Sequence, residues 1–256
     1  MKIDYQKKIE EIEAWIKKTV EKAGFKKVVI ALSGGIDSAL ACALAVKSLG
    51  PDQVFPLLLP YGNLNLEGTK DAQLLCDFLK IDKNNIKISD IKPAVEEIIK
   101  LEASISEIRK GNIMARVRMI YLFDLAKKND ALVIGTENKT EHYLGYFTRF
   151  GDSASDLEPI ISLYKTQVWE MAKYLNLPKK IIEKTPTAGL WIGQSDENEL
   201  GFLYKDADQI LNLYFDEKVR IDQIIKKGFR KELIEKVLYR VKQNEFKQKL
   251  PFLSQE

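Results

Sequence analysis

The run Ser33-Gly34-Gly35-Ile36-Asp37-Ser38 constrains this chain more than any other stretch. Apolar residues 28–32 lead into it, and residues 39–49 leave it with alanine and leucine spaced as on a helix. That is a strand, a glycine turn and a helix start. Gly34 and Gly35 let the backbone turn tightly and bring its N–H groups close to a ligand. Those N–H groups, with the positive end of the helix dipole, form an anion cradle. Ser33 and Ser38 add hydroxyl donors. Asp37 is the odd member, since a carboxylate facing phosphates is repelled unless a divalent cation lies between. It implies magnesium.

No Gly-Lys-Ser/Thr follows the glycines, so this is not a Walker A loop. The run resembles the PP-loop, Ser-Gly-Gly-x-Asp-Ser, of the N-type ATP pyrophosphatases. That resemblance implies a loop that holds the β- and γ-phosphates of ATP and leaves the α-phosphorus open to attack. A plainer reading is a capped Gly-Gly turn joining strand to helix. The complete motif at that junction favours the functional one.

Composition sets the outer bounds. A chain of 256 residues with 45% apolar content supports a large core, and one α/β domain spanning 1–256 can hold it. With 30% charged residues and a net charge of +3, the surface reads as that of an ordinary soluble protein. Residues 218–256 carry eleven Lys/Arg against five Asp/Glu, a basic excess whose default reading is a solvated face. Cys42 and Cys76 form no C-x-x-C and read as reduced core residues. The single histidine, His142, excludes a multi-histidine metal site. No apolar run approaches membrane-spanning length, and the N-terminus lacks a signal peptide's apolar core. A cytoplasmic protein with no membrane partner is expected.

Along the chain, residues 4–23 place Ile9, Ile12, Trp15, Ile16 and Val20 at helical spacing, and Gly24 ends that helix. After the first strand and its helix, residues 54–59 predict a second strand, although Pro56 is unwelcome in a central ladder. Residues 66–79 predict a helix, 86–88 a short strand, 91–101 and 110–127 helices, and 131–134 a fourth strand ending at Gly135-Thr136. Alternation of this kind predicts a Rossmann-like parallel β-sheet with helices on both faces. Ligands bind such sheets at the carboxyl ends of strands, where Ser33 and Thr136 fall. Residues 143–159 read as a loop, 165–175 as a helix and 185–198 as a mobile loop. The remainder reads as helical and basic, closing in a proline-containing tail.

Several constellations carry chemistry. In the polar segment 135–141, Thr136 can bond a nucleotide and Glu141 can supply magnesium with a second hard oxygen beside Asp37. Asn112 and Arg116 share a helix face, with Arg118 turned away from it. Lys110-Gly111-Asn112 interrupts that helix's start and suggests a close approach by another group. Residues 146–156 concentrate aromatics, Arg149, Asp152 and Asp156, either to hold a flat ring and a cation or as an aspartate-stabilised turn. Lys165 opens a helix against the dipole, a placement that makes sense if an anion shares the site.

Together these blocks resemble the ammonia-dependent NAD synthetases, and the resemblance runs from Ser33 to Lys247. Beside the loop it rests on Gly111-Asn112-Ile113-Met114-Ala115-Arg116, Gly135-Thr136, Asn138-Lys139-Thr140-Glu141 and Tyr146-Phe147-Thr148. It rests further on Gly151-Asp152 with Asp156, Leu163-Tyr164-Lys165-Thr166-Gln167, Pro186-Thr187-Ala188-Gly189-Leu190-Trp191 and Gln194-Ser195-Asp196-Glu197. The resemblance implies that Ala31, Leu32, Ser33, Gly34, Gly35, Ile36, Asp37 and Ser38 hold ATP with Thr136, Lys165 and Thr187. Asp37 and Glu141 would bind Mg²⁺. Arg116, Arg149, Asp156, Phe246 and Lys247 would grip deamido-NAD (nicotinic acid adenine dinucleotide). Lys165 and Asp152 would take the catalytic roles. It implies a homodimer with the dinucleotide site at the subunit interface, a lid around Thr187, and no nucleic-acid partner.

Four residues depart from the family pattern: Arg149 for lysine, Phe246 for histidine, and Ser153 and Glu137 for glycine. A loop beginning at Ser33 leaves no room before it for a glutamine amidotransferase domain, so free ammonia or a separate donor is expected to supply nitrogen. The implied reaction is ligation: ATP activates the nicotinate carboxylate as an adenylate, and ammonia displaces AMP. Two rivals stand beside it. A tRNA-modifying relative would explain the basic C-terminus but needs working cysteines. A non-enzymatic nucleotide-binding regulator would need neither Glu141 nor a lid.

Overall fold

The computed structural model describes residues 3–100, 102 and 104–249. The expected proline-containing tail, and the expected helix end at Leu101, lie outside the described residues. Helix α1 (Tyr5–Lys22) starts where the Asp4 side chain accepts from the Lys7 N–H, and it buries Ile9, Ile12, Ile16 and Val20. Trp15, expected on that stripe, is 43% exposed. One residue of helix is about 100° of rotation, which carries position 15 off the stripe that 16 occupies.

Then follow β1 (Lys27–Ala31), α2 (Ile36–Leu49), β2 (Val54–Leu58), α3 (Leu66–Phe78), β3 (Lys87–Ile88), α4 (Lys92–Ile99), α5 (Glu107–Asn129) and β4 (Ala131–Ile134). The strands form one parallel sheet in the order β3-β2-β1-β4. Alternate strand residues feed opposite cores. Val28, Ile30, Val54, Leu58 and Ile134 join α1, α2 and later helices on one face. Val29, Leu57, Leu59 and Val133 join α4 and α5 on the other. Pro56 is accommodated for a simple reason. Leu58 O faces β3, where it accepts from Ser89 N, so Pro56 faces the same side by alternation. Strand β3 begins only opposite Leu57, and no ladder partner waits for the missing N–H.

Helix α5 begins three residues earlier than its periodicity predicts, because Ser106 caps it by accepting from Arg109 N at 3.3 Å. Gly111 therefore lies inside the helix and does not interrupt it. The polar segment after β4 also folds further than expected. Residues 135–138 join no helix or strand, but α6 (Lys139–Leu144) forms behind an Asn138 cap.

The rest is α7 (Lys165–Tyr174), α8 (Lys179–Ile182), α9 (Asp196–Leu200), α10 (Tyr204–Leu211), a π-helical turn (Asn212–Asp216), α11 (Ile221–Lys226) and α12 (Lys231–Asn244). The expected mobile loop is thus shortened at its far end by α9. Leu144, Tyr164, Tyr204, Ile210, Ile224, Ile234 and Val237 make a third core among these helices. Trp169 packs against both this core and that of the sheet. Cys42 and Cys76 are buried free thiols, and burial pushes the Cys76 thiol up to about 12.

Candidate active site

The strand order reverses at β1: the chain goes to one side for β2 and β3, then crosses to β4. The crevice at the carboxyl ends of such strands is where open α/β sheets take ligands. Here it is a cleft of about 420 Å³ whose walls include Ala31, Leu32, Leu57, Pro60, Gly135 and Thr136.

Residues 32–38 form the floor. Gly34 has φ +76°, and a Cβ there would overlap the backbone of Gly68 in the first turn of α3. Only glycine meets both demands. Ser33 and Ser38 staple the turn: Ser33 Oγ accepts from Gly35 N at 3.2 Å, and Ser38 Oγ donates to Gly35 O at 3.0 Å. No side chain caps the N-terminus of α2. Its first-turn N–H groups are therefore left for a ligand. Ala31, Leu32, Ser33, Gly35, Ile36, Asp37 and Ser38 all line the cleft, and Gly34 is not among its walls.

Beside this cradle lies a buried charge cluster. Lys165 Nζ is 2.5 Å from Asp37 Oδ2 and 2.9 Å from Glu141 Oε1. Asn138 Nδ2 donates to the other Asp37 oxygen at 2.8 Å. Burial by itself would lower the Lys165 pKa, but Asp37 and Glu141 hold it above the ordinary lysine value. Burial pushes Glu141 up to about 8 against the pull of Lys165, and the Asp37 charge adds to the rise. The anomalous position of Lys165 on α7 is answered twice. Its side chain has two carboxylates, and Asp208 Oδ2 accepts from Thr166 N in the first turn at 2.7 Å. That carboxylate offsets the dipole which the lysine opposes.

Two carboxylates converging on one ammonium also suit a hard divalent cation. Mg²⁺ is commonly held by one or two carboxylates with substrate phosphates and water completing its shell. Among the described residues no group of three or more His, Cys, Asp or Glu side chains is placed to hold a metal ion.

Tyr146, Asp196 and Tyr204 connect the cluster to the segment after α8. Asp196 accepts from Tyr146 Oη and Tyr204 Oη at 3.1 Å each, and from Ala188 N at 3.0 Å. Thr187 and Leu190 lie on this segment and line the cleft. Leu190 packs on Gly111, where an added Cβ would stand 2.9 Å from its Cδ1. That is the close approach expected at Gly111.

Asp152 opens onto the cleft while protein crowds its other sides. Burial raises its carboxyl pKa; the Thr148 N–H, donating at 2.9 Å, and the Arg118 charge oppose the rise. Arg118 is turned away from Arg116, as expected, but it is Arg118 that lines the cleft, donating to Leu59 O at 3.1 Å. Its partner in that expectation, Arg116, is exposed and donates to Arg149 O at 3.2 Å, outside the cleft.

The other acceptor-binding candidates divide. Lys247 reaches the cleft, donating to Gly145 O at 2.7 Å and Phe147 O at 3.1 Å. Arg149, Asp156 and Phe246 are not in its walls. Arg149 lies over the rings of Phe150 and Phe246 and donates to Lys249 O at 2.9 Å. Asp156 accepts from Val133 N at 2.8 Å along the edge of β4. Asp196, Asn138, Arg118 and Arg240 are cleft or cluster residues that residue-level sequence reasoning did not assign. Asn138 and Asp196 sat in blocks already singled out; Arg118 and Arg240 had no local signal.

A parallel sheet with a glycine-turn anion cradle at its switch point defines an α/β protein of Rossmann-like layering. Within that class the chain belongs to the NAD synthase family, whose model matches residues 8–251. It is 41% identical to an NH(3)-dependent NAD(+) synthetase of Fusobacterium nucleatum over 95% of this chain and 93% of that one. An NMN synthetase structure from Francisella tularensis superposes with a TM-score of 0.86 at 35% identity, covering 98% of this chain and 99% of that one. An NH3-dependent NAD synthetase structure from Campylobacter jejuni, in complex with the nitrate ion, gives 0.83 at 34% with the same coverage.

Proposed function

We propose that this chain amidates deamido-NAD to NAD with ammonia, in an ATP-dependent ligation carried by one domain. Membership of the NAD synthase family supports the reaction class. The observation that carries the mechanism is the Asp37–Lys165–Glu141 cluster beside an uncapped helix N-terminus.

A carboxylate is inert to ammonia until one of its oxygens becomes a good leaving group. The nicotinate carboxylate attacks the α-phosphorus of ATP, pyrophosphate leaves, and an acyl-adenylate forms. Ammonia then attacks the acyl carbon; AMP departs with the former carboxylate oxygen, and a proton is lost from nitrogen. In this scheme Ser33, Ser38 and the N–H groups of residues 36–38 hold the leaving phosphates, with Thr136 and Thr187 on the same cleft's walls. The Lys165 ammonium lies where negative charge moves onto pyrophosphate. Magnesium, held by Asp37 and Glu141, would neutralise phosphate charge. Asp152, whose raised pKa improves it as a base, orients ammonium and takes its proton. Arg116, Arg149, Asp156 and Phe246 lie outside this cleft, a placement that suits a homodimer in which they serve a site shared with the partner.

The Francisella match favours one second reading. The acceptor would then be nicotinate mononucleotide, the acid whose amide is NMN. Pyrophosphate release is to be measured with deamido-NAD, nicotinate mononucleotide or tRNA as acceptor. Release dependent on deamido-NAD is expected. Preference for the mononucleotide selects the second reading, and dependence on tRNA alone overturns both.

A further inference from the structure

Arg240, on α12, lines the same cleft as the loop of residues 32–38 and lies over the Tyr146 ring at 5.5 Å. Its Nε is buried with no hydrogen-bond partner, and no carboxylate among the described residues pairs with its guanidinium. The nearby carboxylates are engaged elsewhere. Asp196 accepts from Tyr146, Tyr204 and Ala188. Glu199 shares the Tyr146 hydroxyl proton with Asp196, at 3.0 Å, and accepts from Gln194 Nε2 at 3.1 Å. A second cation sits close by: burial and the Arg240 charge both lower the Lys247 pKa. A guanidinium nitrogen removed from water normally has a hydrogen-bond partner. Two adjacent cations on a cleft wall, one with an idle donor, call for an anionic ligand.

We infer that Arg240 receives the pyridine carboxylate of deamido-NAD and so distinguishes the acid substrate from the amide product. The inference rests on the reaction proposed above. One aromatic ring separates Arg240 from the catalytic cluster: Tyr146 lies beneath the guanidinium, and its hydroxyl donates to Asp196, whose charge acts on Lys165. The acceptor group that must come closest to that cluster is the reacting carboxylate, with the dinucleotide's own diphosphate farther away. Carboxylate and triphosphate repel each other, and a guanidinium beside the carboxylate offsets that repulsion. Adenylation and amidation then remove the charge. The grip is lost once the carboxylate has become an uncharged amide, which assists release of the product.

Deamido-NAD and NAD differ only in that carboxylate, so their affinities, measured by calorimetry on wild type, Arg240→Gln and Arg240→Lys, separate the possibilities. Wild type is expected to bind the acid at least about tenfold tighter than the amide. Arg240→Gln should weaken deamido-NAD about ten- to hundredfold, the worth of a hydrogen bond to a charged group. NAD and ATP should change less than about twofold, and Arg240→Lys should keep part of the preference. Equal losses for both dinucleotides would place the contact at their shared diphosphate and overturn the inference, as would no loss at all. If Arg240→Gln melts early, the comparison of nicotinate with nicotinamide on wild type decides alone, with no preference for the acid overturning it. Wild type that binds neither dinucleotide overturns the proposed reaction itself.

Discussion

At the scale of single residues, the cluster around Lys165 makes the sharpest demands. Asp37→Asn keeps the shape that Asn138 and Lys165 contact but removes the charge that a cation and the lysine need. Turnover measured as AMP release should fall by about two to three orders of magnitude, as for loss of one electrostatic contact in a transition state. The melting temperature should change by only a few degrees. A variant with more than half the wild-type rate contradicts the assigned role. Glu158 offers a test by pH. Burial pushes its carboxyl up to about 8 from an ordinary 4.5, against the Ser155 hydroxyl and Glu137 N–H that donate to it. Between those two values the folded chain holds a proton that the unfolded chain has released, so this residue's contribution to stability falls as pH rises. Glu158→Gln should therefore gain in melting temperature relative to wild type on going from pH 5 to pH 8.5; a constant difference rules this out. Much of this scale was legible in sequence, because residues 33–38 are contiguous and Lys165 stands at the wrong end of a dipole. Arg118 and Arg240 were not. An arginine on a helix usually faces water, and only packing of distant segments turns these two inward.

At the scale of elements, the alternation of strand and helix was plain, since each strand is short and apolar and each crossover helix is flanked by turn residues. Side-chain caps account for two of the differences: α5 starts early at its Ser106 cap and α6 forms behind Asn138, whereas α9 is cut from the expected loop without a side-chain cap. Residues 185–195 are the element expected to move. Among them, Leu190 seats on Gly111 and Ala188 donates to Asp196. Their amides should gain protection from hydrogen exchange when ATP and deamido-NAD are bound together; equal protection in both states counts against a lid. Gly111→Ala probes the same closure. Alanine in a helix interior is favoured over glycine by about 1 kcal/mol, so the fold should hold or gain slightly. The new methyl displaces Leu190, and KM for the nucleotides should rise about three- to tenfold. Unchanged KM values mean that this contact does not seat the lid.

At the scale of the whole molecule, the third core of helices was foreseen only as a helical and basic remainder, because its apolar residues come from five separate segments. It brings α12, and with it Arg240 and Lys247, over the end of the sheet that carries the phosphate cradle. Arg116 and Ile120 lie exposed along α5, Ile120 at 59%. We expect this face to be covered by a second copy of the chain. Sedimentation should give a dimer for wild type and a shift toward monomer for Ile120→Lys; a wild-type monomer that retains full activity would refute the shared site. The central claim is that the acid is activated as an adenylate before ammonia arrives. Its most direct test uses deamido-NAD labelled with ¹⁸O in the nicotinate carboxylate and follows the label by mass spectrometry. The account predicts one labelled oxygen in AMP and none in pyrophosphate or inorganic phosphate. Label in either of those products, or AMP formed without label, would contradict it.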